Sequence, residues 1–434
     1  MGGERYDVLV VGSGPAGSVA ALVLARGGAR VALVDKARFP RDKACGDLIG
    51  PRGVQLLLDL GLAVPGAEPV DDMFFVGPTG RRVRLPCPPG TTYPGYALAS
   101  PRVVFDEWLH QAAVSAGAEP FVGRAAEPVL SDGGLSGFVL SSGARLCADV
   151  VIGADGASSR VADVAGLVDG ARVLWGFAVR AYLDDPVTSP HIVLWEPAAW
   201  RGFPGYGWLF PGVGGRANIG LGIGVLSDRS AGSGATQGFD GFVAHLRRLG
   251  VLDPHRSPAS PRSRLGGWLK MGMVGTVPAR GRVLLVGDAA GLVNPLQGEG
   301  ISQAMGSGRA AAEAVLAGPG EAAARYRAVL ASTYGPYQSA TAPAHAALLG
   351  RPRAVAAVGR LLTAPGVGRA LAGGWSVFWN DLLDGAAPGP PRMVASTAAR
   401  LGRAVTAPSR TRAWFARELG IPRLALLPAN RGRS

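Results

Sequence analysis

The chain has 434 residues, 48% of them apolar and 17% charged, with a formal net charge of +13. Such a composition is globular and long enough for two or three structural units, which excludes an intrinsically disordered chain. Three widely spaced cysteines, Cys45, Cys87 and Cys147, form neither a metal pattern nor an even disulfide set, so no metal is expected and a reducing cytoplasm fits.

The first element is an apolar β run, Tyr6 to Val11, that leads at once into Gly12-Ser13-Gly14-Pro15-Ala16-Gly17. The charges at Glu4, Arg5 and Asp7 make this start no signal peptide. A helical stretch follows to Gly27-Gly28, and a second strand, Arg30 to Val34, delivers Asp35. This is a dinucleotide-binding pattern. Gly12 permits the tight turn, Gly14 lets a pyrophosphate approach the backbone, and Gly17 lets the helix sit close on the sheet. Free N–H groups at the helix start receive the pyrophosphate, and Asp35 accepts from a ribose hydroxyl.

Next comes Phe39-Pro40-Arg41-Asp42-Lys43-Ala44-Cys45-Gly46-Asp47, with Pro51-Arg52 close behind. Residues 73–100 read as short strands with turns at Gly77-Pro78 and Pro88-Pro89-Gly90. A helix starts after Pro101, with Val103, Trp108 and Leu109 on or near its apolar face. Residues 119–152 alternate like a small meander that ends in Gly153-Ala154-Asp155-Gly156. From Leu174 to Gly224 the pattern is β, in runs Phe177–Tyr182, Ile192–Trp195, Tyr206–Pro211 and Asn218–Ile223, expected to form a sheet roofing the cofactor. Residues 226–262 read as helical and polar.

Arg282 to Ala290 is another buried-strand pattern ending in Gly287-Asp288, followed by Gly291 to Ile301 and a small-residue helix. A carboxylate there can hold the ribityl hydroxyls of a flavin, and a Gly-rich helix start can face the anionic edge of a reduced ring. Beyond about 335 lies an Ala/Leu/Arg helical region broken at Pro352, Pro365 and Pro388 to Pro391. From residue 385 on there are nine Arg against one acid, Glu418, and only the Trp414-Phe415 pair of aromatics. That favours a membrane surface over nucleic acid, with a merely solvated basic tail as the open alternative. No run of about 18 clean apolar residues is present, so no transmembrane helix is expected.

The three Gly-rich segments, in this order, resemble FAD enzymes of the p-hydroxybenzoate hydroxylase fold over roughly residues 5 to 330. The Phe39–Asp47 motif, with Gly205-Tyr206-Gly207-Trp208-Leu209-Phe210-Pro211 and Ala217-Asn218-Ile219-Gly220-Leu221-Gly222, resembles the geranylgeranyl reductase family, which includes menaquinone prenyl reductases. Those flavoproteins saturate isolated double bonds of isoprenoid chains. The family pattern often reads Cys-Gly-Gly, whereas this chain has Cys45-Gly46-Asp47, a variant also found among the menaquinone-reducing members. The substrate subclass stays open.

The resemblance implies an α/β fold: a Rossmann-type FAD-binding domain, a β-sheet substrate domain and a C-terminal helical region. The FAD domain is expected in three segments, 1–72, 101–170 and 276–334. Substrate-domain strands take 73–100, the catalytic sheet 171–275, and a basic helical region 335–434. The fingerprint and the resemblance together assign FAD contacts to Gly12, Ser13, Gly14, Pro15, Ala16, Gly17, Asp35, Lys36, Ala44, Cys45, Gly46, Arg102, Ala125, Asp155, Gly156, Asp288, Pro295, Gly298, Gly300 and Ile301. In the family the cysteine matching Cys45 lies near the ring, with a part in catalysis or gating.

Reducing an unactivated alkene requires hydride at one carbon and a proton at the other, in a dry apolar slot. Tyr206, Trp208, Phe210 and Phe177 suit such a slot. Asp47 is either a proton donor raised by desolvation or a turn residue, and His110 and His191 read as structural. NADPH or reduced ferredoxin is the expected electron donor; the sequence has no second Gly-x-Gly-x-x-Gly strand–helix unit, so the nicotinamide cofactor is expected to bind only transiently. The expected partner is an isoprenoid or prenylated small molecule, in the cytoplasm or at a membrane surface. Two further readings compete: a flavin monooxygenase or halogenase of the same fold, and a non-catalytic FAD-bearing protein. An iron–sulfur quinone dehydrogenase lacks its cysteine cluster.

Overall fold

The computed structural model describes residues 4–86, 93–131, 134–194, 205–225, 233–253, 255, 264–335, 338, 341–342, 345 and 352–369. Cys87, Trp195 and the basic tail expected to meet a membrane lie outside the described residues.

The first part of the chain runs β1 (Glu4–Val11), α1 (Pro15–Arg26), β2 (Val31–Asp35), β3 (Leu48–Ile49), α2 (Pro51–Asp59), β4 (Glu68–Val70), β5 (Asp72–Val76), β6 (Arg82–Pro86), β7 (Ala97–Ala99), α3 (Arg102–Ser115), β8 (Glu119–Val122), β9 (Ala125–Ser131), β10 (Gly134–Leu140), β11 (Arg145–Gly153) and α4 (Arg160–Val164). It continues with β12 (Leu174–Leu183), β13 (His191–Val193), β14 (Gly205–Pro211), β15 (Ala217–Val225), α5 (Ser233–Arg248), β16 (Leu265–Met271), β17 (Ala279–Arg280), β18 (Val283–Leu285), α6 (Ile301–Leu316), α7 (Ala322–Thr333) and α8 (Pro352–Leu362).

The first sheet has the order β17-β18-β11-β1-β2-β8, with β10 and β9 added antiparallel beside β11. Strands β18, β11, β1, β2 and β8 are mutually parallel. Both faces of such a sheet are covered, which is why β1 and β2 are near-continuous apolar runs. Val11 pairs with both Gly153 and Val34, and Gly153 with Leu285. This register brings Gly12, Asp35, Asp155 and Asp288 to one edge, at the carboxyl ends of the strands, where open α/β sheets bind ligands. Helix α6 crosses the start of α1 at close range, because a Cβ on Gly308 would stand 2.2 Å from the Ala16 carbonyl oxygen.

The second sheet has the order β16-β12-β15-β14-β13-β5-β6 and is antiparallel except for β13 against β5. One face packs on α5 through Phe239, Phe242 and Leu246. The opposite face carries Met73, Phe75, Trp208 and Phe210. A small third sheet, β3-β7-β4, follows the Cys45 segment.

Three local expectations change. Strand β8 does not join the meander; it pairs parallel with β2, and only β9–β11 form antiparallel neighbours. The buried face of α3 runs Phe105, Leu109 and Ala113, one turn apart, while Val103 and Trp108 are only partly buried. Within 226–262 the described helix is limited to Ser233–Arg248.

Candidate active site

The edge of the first sheet faces the second sheet across a cavity of about 240 Å³. On the same measure a single water needs only about 10–15 Å³, so this space suits an organic ligand. Pro15, Ala44, Cys45, Gly46, Arg102 and Asp288 line one side with Pro295, Gly298, Gly300 and Ile301, and Phe177, Tyr206, Trp208 and Phe210 line the other.

The fingerprint glycines have separate causes. Gly12 sits at φ +104°, and a Cβ there would lie 2.3 Å from the Ala154 oxygen. A Cβ on Gly17 would lie 1.8 Å from the Gly12 oxygen. Gly14, by contrast, has only Arg41 Nη2 within reach, at 3.6 Å. The N-terminus of α1 has no side-chain cap and no acid in its first turn. Asp35 accepts from the Ser13 amide (2.9 Å) and the Ala37 amide (3.0 Å). Arg41 bridges Asp35 (3.3 Å) and Asp106 (3.1 Å).

Asp155 turns its carboxylate inward, accepting from the amides of Arg160 (2.7 Å) and Val161 (3.2 Å) and from the Ser159 hydroxyl. Burial pushes its pKa up and these bonds hold it down. Gly156 follows at φ +84°. Lys36 comes directly after Asp35, and Ala125 opens β9 against Leu140. His110 stacks on Phe39 (centroids 4.4 Å, planes 7° apart), with Nδ1 2.6 Å from Ser13 Oγ, so it contacts the fingerprint loop.

At the other end, Arg102 is fully buried and pairs in two bonds (2.6 and 2.7 Å) with buried Asp106 one turn on. Burial raises the Cys45 thiol pKa, and the Arg102 guanidinium, which hydrogen-bonds the sulfur, draws it partly back. Asp47 is buried with a left-handed backbone, φ +59°. Its carboxylate accepts from Asn218 Nδ2 (2.8 Å), the Arg102 amide (3.3 Å) and the Tyr182 hydroxyl. Burial pushes Asp47 up, and the Tyr182 and Asn218 bonds with the nearby Arg180 and Arg102 charges oppose it.

Asn218 joins the two sides. Its Nδ2 also donates to the Cys45 carbonyl (2.8 Å), and its Oδ1 accepts from Trp208 Nε1 (2.9 Å). Trp208 in turn lies on Gly220, where a Cβ would come within 2.0 Å of the indole. Tyr206 donates to the Gln297 carbonyl. Lys43 reaches Asp288 at 3.3 Å across the site.

A family model described as the FAD binding domain matches residues 5–206. The chain is 37% identical over 325 residues to a menaquinone reductase of Mycolicibacterium smegmatis, which covers 72% of this chain and 77% of that protein. The chain belongs to this family of FAD-dependent reductases. A geranylgeranyl diphosphate reductase of Rhodobacter capsulatus is 34% identical over 333 residues, 72% of this chain and 75% of that one. In fold, the chain resembles a geranylgeranyl bacteriochlorophyll reductase-like protein from Thermoplasma acidophilum (TM-score 0.64, 22% identity, 96% and 99% covered). It also resembles a flavin-dependent brominase, Bmp2 (TM-score 0.67, 18% identity, 92% and 100% covered).

The protein is therefore an FAD-dependent oxidoreductase with the p-hydroxybenzoate hydroxylase-type fold. Its residues fit the cofactor: an uncapped helix start and an open position beside Gly14 leave room for an anionic pyrophosphate. Sequence reasoning assigned no role to Asn218, Tyr182, Asp106, Glu299 or His345. Arg102 and Asp106 stand four apart on one helix, a spacing that could have revealed their pairing. Half-buried Glu299, whose pKa desolvation raises, accepts from the Ser302 amide at the start of α6 (2.9 Å). Glu299 and His345 carry no local signal.

Proposed function

We propose that this family member saturates isolated double bonds of an isoprenoid chain, with a menaquinone-type prenyl tail as the favoured substrate class. The observation that carries the reading is the Asn218 link. One buried amide ties the Cys45–Asp47 segment to Trp208 on an apolar aromatic wall. The menaquinone reductase relative supports the substrate class. When bound, FAD supplies the hydride. Ala44, Cys45 and Gly46, with Pro295, Gly298, Gly300 and Ile301, hold its ring end. Gly12 to Gly17, Asp35 and Lys36 hold the pyrophosphate and ribose, with Ala125, Asp155 and Gly156 as further contacts. Tyr206, Trp208 and Phe210 exclude water and orient the chain. Cys45 keeps its proton at Sγ, because burial opposes the thiolate.

The segments 1–72, 101–170 and 276–334 serve as the FAD unit, and 73–100 with 171–275 as the substrate unit. NADPH or reduced ferredoxin docks transiently to deliver electrons. The basic C-terminal region holds the protein at an anionic membrane surface; vesicle binding that persists after removal of residues 400–434 would refute this. Anaerobic incubation of reduced enzyme with prenyl lipids tests the activity itself. The expected product gains two hydrogens; a product that forms only in air, or gains oxygen, would assign the chain to oxygenases.

A further inference from the structure

The lining of the cavity is chemically uneven. Its charged groups, Lys43, Arg102, Asp288 and Glu299, come from the Cys45 segment, the start of α3 and the strand end and loop before α6. Where α8 meets the second sheet the lining is apolar: Pro78 and Leu194, with Ala356, Val358, Gly359 and Leu362 of the helix. The helix is seated closely there. A Cβ on Gly359 would stand 3.5 Å from Leu194 and 3.8 Å from Pro78, and one on Gly77 would stand 2.3 Å from Thr363 Oγ1. The buried side of α8 is therefore Ala356 and Gly359, continued by Thr363.

Val358 marks the place where this lining reaches the surface. It lines the cavity and is still 40% exposed. Residues three and four apart share a helix face, so Val358 neighbours both Leu361 and Leu362. Leu362 lines the cavity, whereas Leu361 is 52% exposed. An apolar strip thus runs from the cavity over its rim to the outside. Val367, in the turn after the helix, is 55% exposed. Among the described residues ten large apolar side chains are exposed; three of them fall within residues 358–367 and the other seven are spread from 58 to 329. A single exposed valine is ordinary, but a group at the rim of a cavity marks an interaction surface.

The charge around the rim has one sign. From Ala322 to Asn380 the sequence holds six arginines and neither aspartate nor glutamate. Arg360 and Arg369 are exposed beside the apolar side chains. Aliphatic side chains flanked by arginine, with no acid, complement an anionic lipid surface. No helix among the described residues is long and apolar enough to cross a membrane, so the contact lies in the plane of the interface. The cargo argues the same way. An isoprenoid chain that crossed water would expose its whole apolar length, whereas a rim set in lipid passes it from one apolar medium to another.

We propose that α8 and the turn after it, Val358 to Arg369, dock on an anionic lipid bilayer, and that the prenyl chain enters the cavity from the bilayer past Val358 and Leu362. The identity of the cargo rests on the prenyl-reductase reading; the docking surface is separate from the contact assigned to the far C-terminal region.

Flotation of the FAD-loaded full-length protein with vesicles of phosphatidylcholine and phosphatidylglycerol measures the docking. Leu361 and Val367 are not among the residues lining the cavity, and about half of each is exposed, so L361S/V367S should keep its flavin and its melting temperature. Its vesicle affinity should fall roughly ten- to hundredfold, the worth of two half-exposed aliphatic side chains. L130S removes a leucine that is 67% exposed on β9 of the first sheet, and should float like the wild type. Reduction of a prenylated quinone carried in the vesicles should slow by a similar factor in L361S/V367S, and reduction in detergent should not change. In the wild type, vesicles should slow amide hydrogen exchange within residues 352–369, a readout that needs no variant. Unchanged vesicle affinity in L361S/V367S, an equal loss in L130S, or exchange at 352–369 that vesicles leave unaltered would overturn the docking surface. A wild type that does not float would overturn it too, and would assign the patch to a protein partner. A wild type that reduces no prenyl lipid in detergent would instead refute the prenyl reading, while flotation and exchange still decide the docking surface.

Discussion

Replacing Gly14 by alanine separates what the protein needs from what the cofactor needs. The backbone at Gly14 is extended, with φ −77° and ψ −174°, open to any L-residue. A Cβ there meets nothing closer than Arg41 Nη2 at 3.6 Å. Reduced freedom of the unfolded chain favours alanine by roughly 0.4–1 kcal/mol, and glycine's modest advantage over alanine at a helix N-cap opposes it. The apoprotein should therefore keep its melting temperature within about 2 °C. Gly12→Ala and Gly17→Ala would instead place a methyl group 2.3 and 1.8 Å from backbone oxygens and should damage the fold itself. For the holoenzyme the expectation reverses. The space taken by the new methyl is the approach path of the pyrophosphate to the uncapped start of α1. Losing one hydrogen bond to a charged group costs about 1.5–3 kcal/mol, so FAD affinity should fall roughly ten- to hundredfold. Fluorescence titration of apoprotein with FAD, beside thermal melts without it, measures both quantities. A Gly14→Ala protein that melts normally and binds FAD as tightly as the wild type would refute the assigned loop.

Cys45→Ser should keep FAD bound, since the exchange is nearly isosteric, and slow alkene reduction; turnover equal to wild type would reduce Cys45 to a packing residue. Asn218→Leu removes a fully buried amide with three hydrogen bonds and strands the Trp208 N–H and one bond to Asp47. Urea unfolding should show a loss of about 2–4 kcal/mol and turnover should drop; unchanged stability would dissolve the network. The pKa of His191, stacked on Phe74 at 5.3 Å, is lowered to about 4, mainly by burial. Between pH 6.5 and about 4 the unfolded chain takes up a proton that the folded one refuses, so stability falls as pH falls through that window, by up to about 3 kcal/mol. His191→Phe should flatten this part of the pH profile; an identical slope in the two proteins would contradict it.

The parts legible in the sequence are those whose cause is local. Gly12 takes a φ of +104° in its own turn and Gly17 packs on the Gly12 oxygen, and a buried parallel strand announces itself as an apolar run. The partner of a strand is a different matter. The alternation of residues 119–152 shows strands but not that β8 lies beside β2. Likewise β13 pairs with β5 from more than a hundred residues away. The Asn218–Asp47 bond spans 171 positions, and neither residue type alone marks it. The paired charges of α3 place Arg102 and Asp106 on the buried side, which a hydrophobic pattern cannot anticipate. His345 stands in a stretch whose Ala/Leu composition suggests only helix.

The same long-range contacts explain why this chain departs from the Cys-Gly-Gly pattern at one glycine and keeps the other. At Gly46 a Cβ would lie 2.8 Å from the Phe210 ring and 3.5 Å from Trp208 Nε1, so the aromatic wall of β14 forbids a side chain. Position 47 is constrained by backbone shape instead of space, with φ at +59°. Glycine adopts that conformation freely, and aspartate is among the few other residues that tolerate it. A buried carboxylate there is viable only with donors around it, and Tyr182, Asn218 and the Arg102 amide provide them. Asp47 therefore does what a second glycine cannot. It keeps the left-handed turn after Cys45 and anchors that turn to β12, β15 and the start of α3 at once.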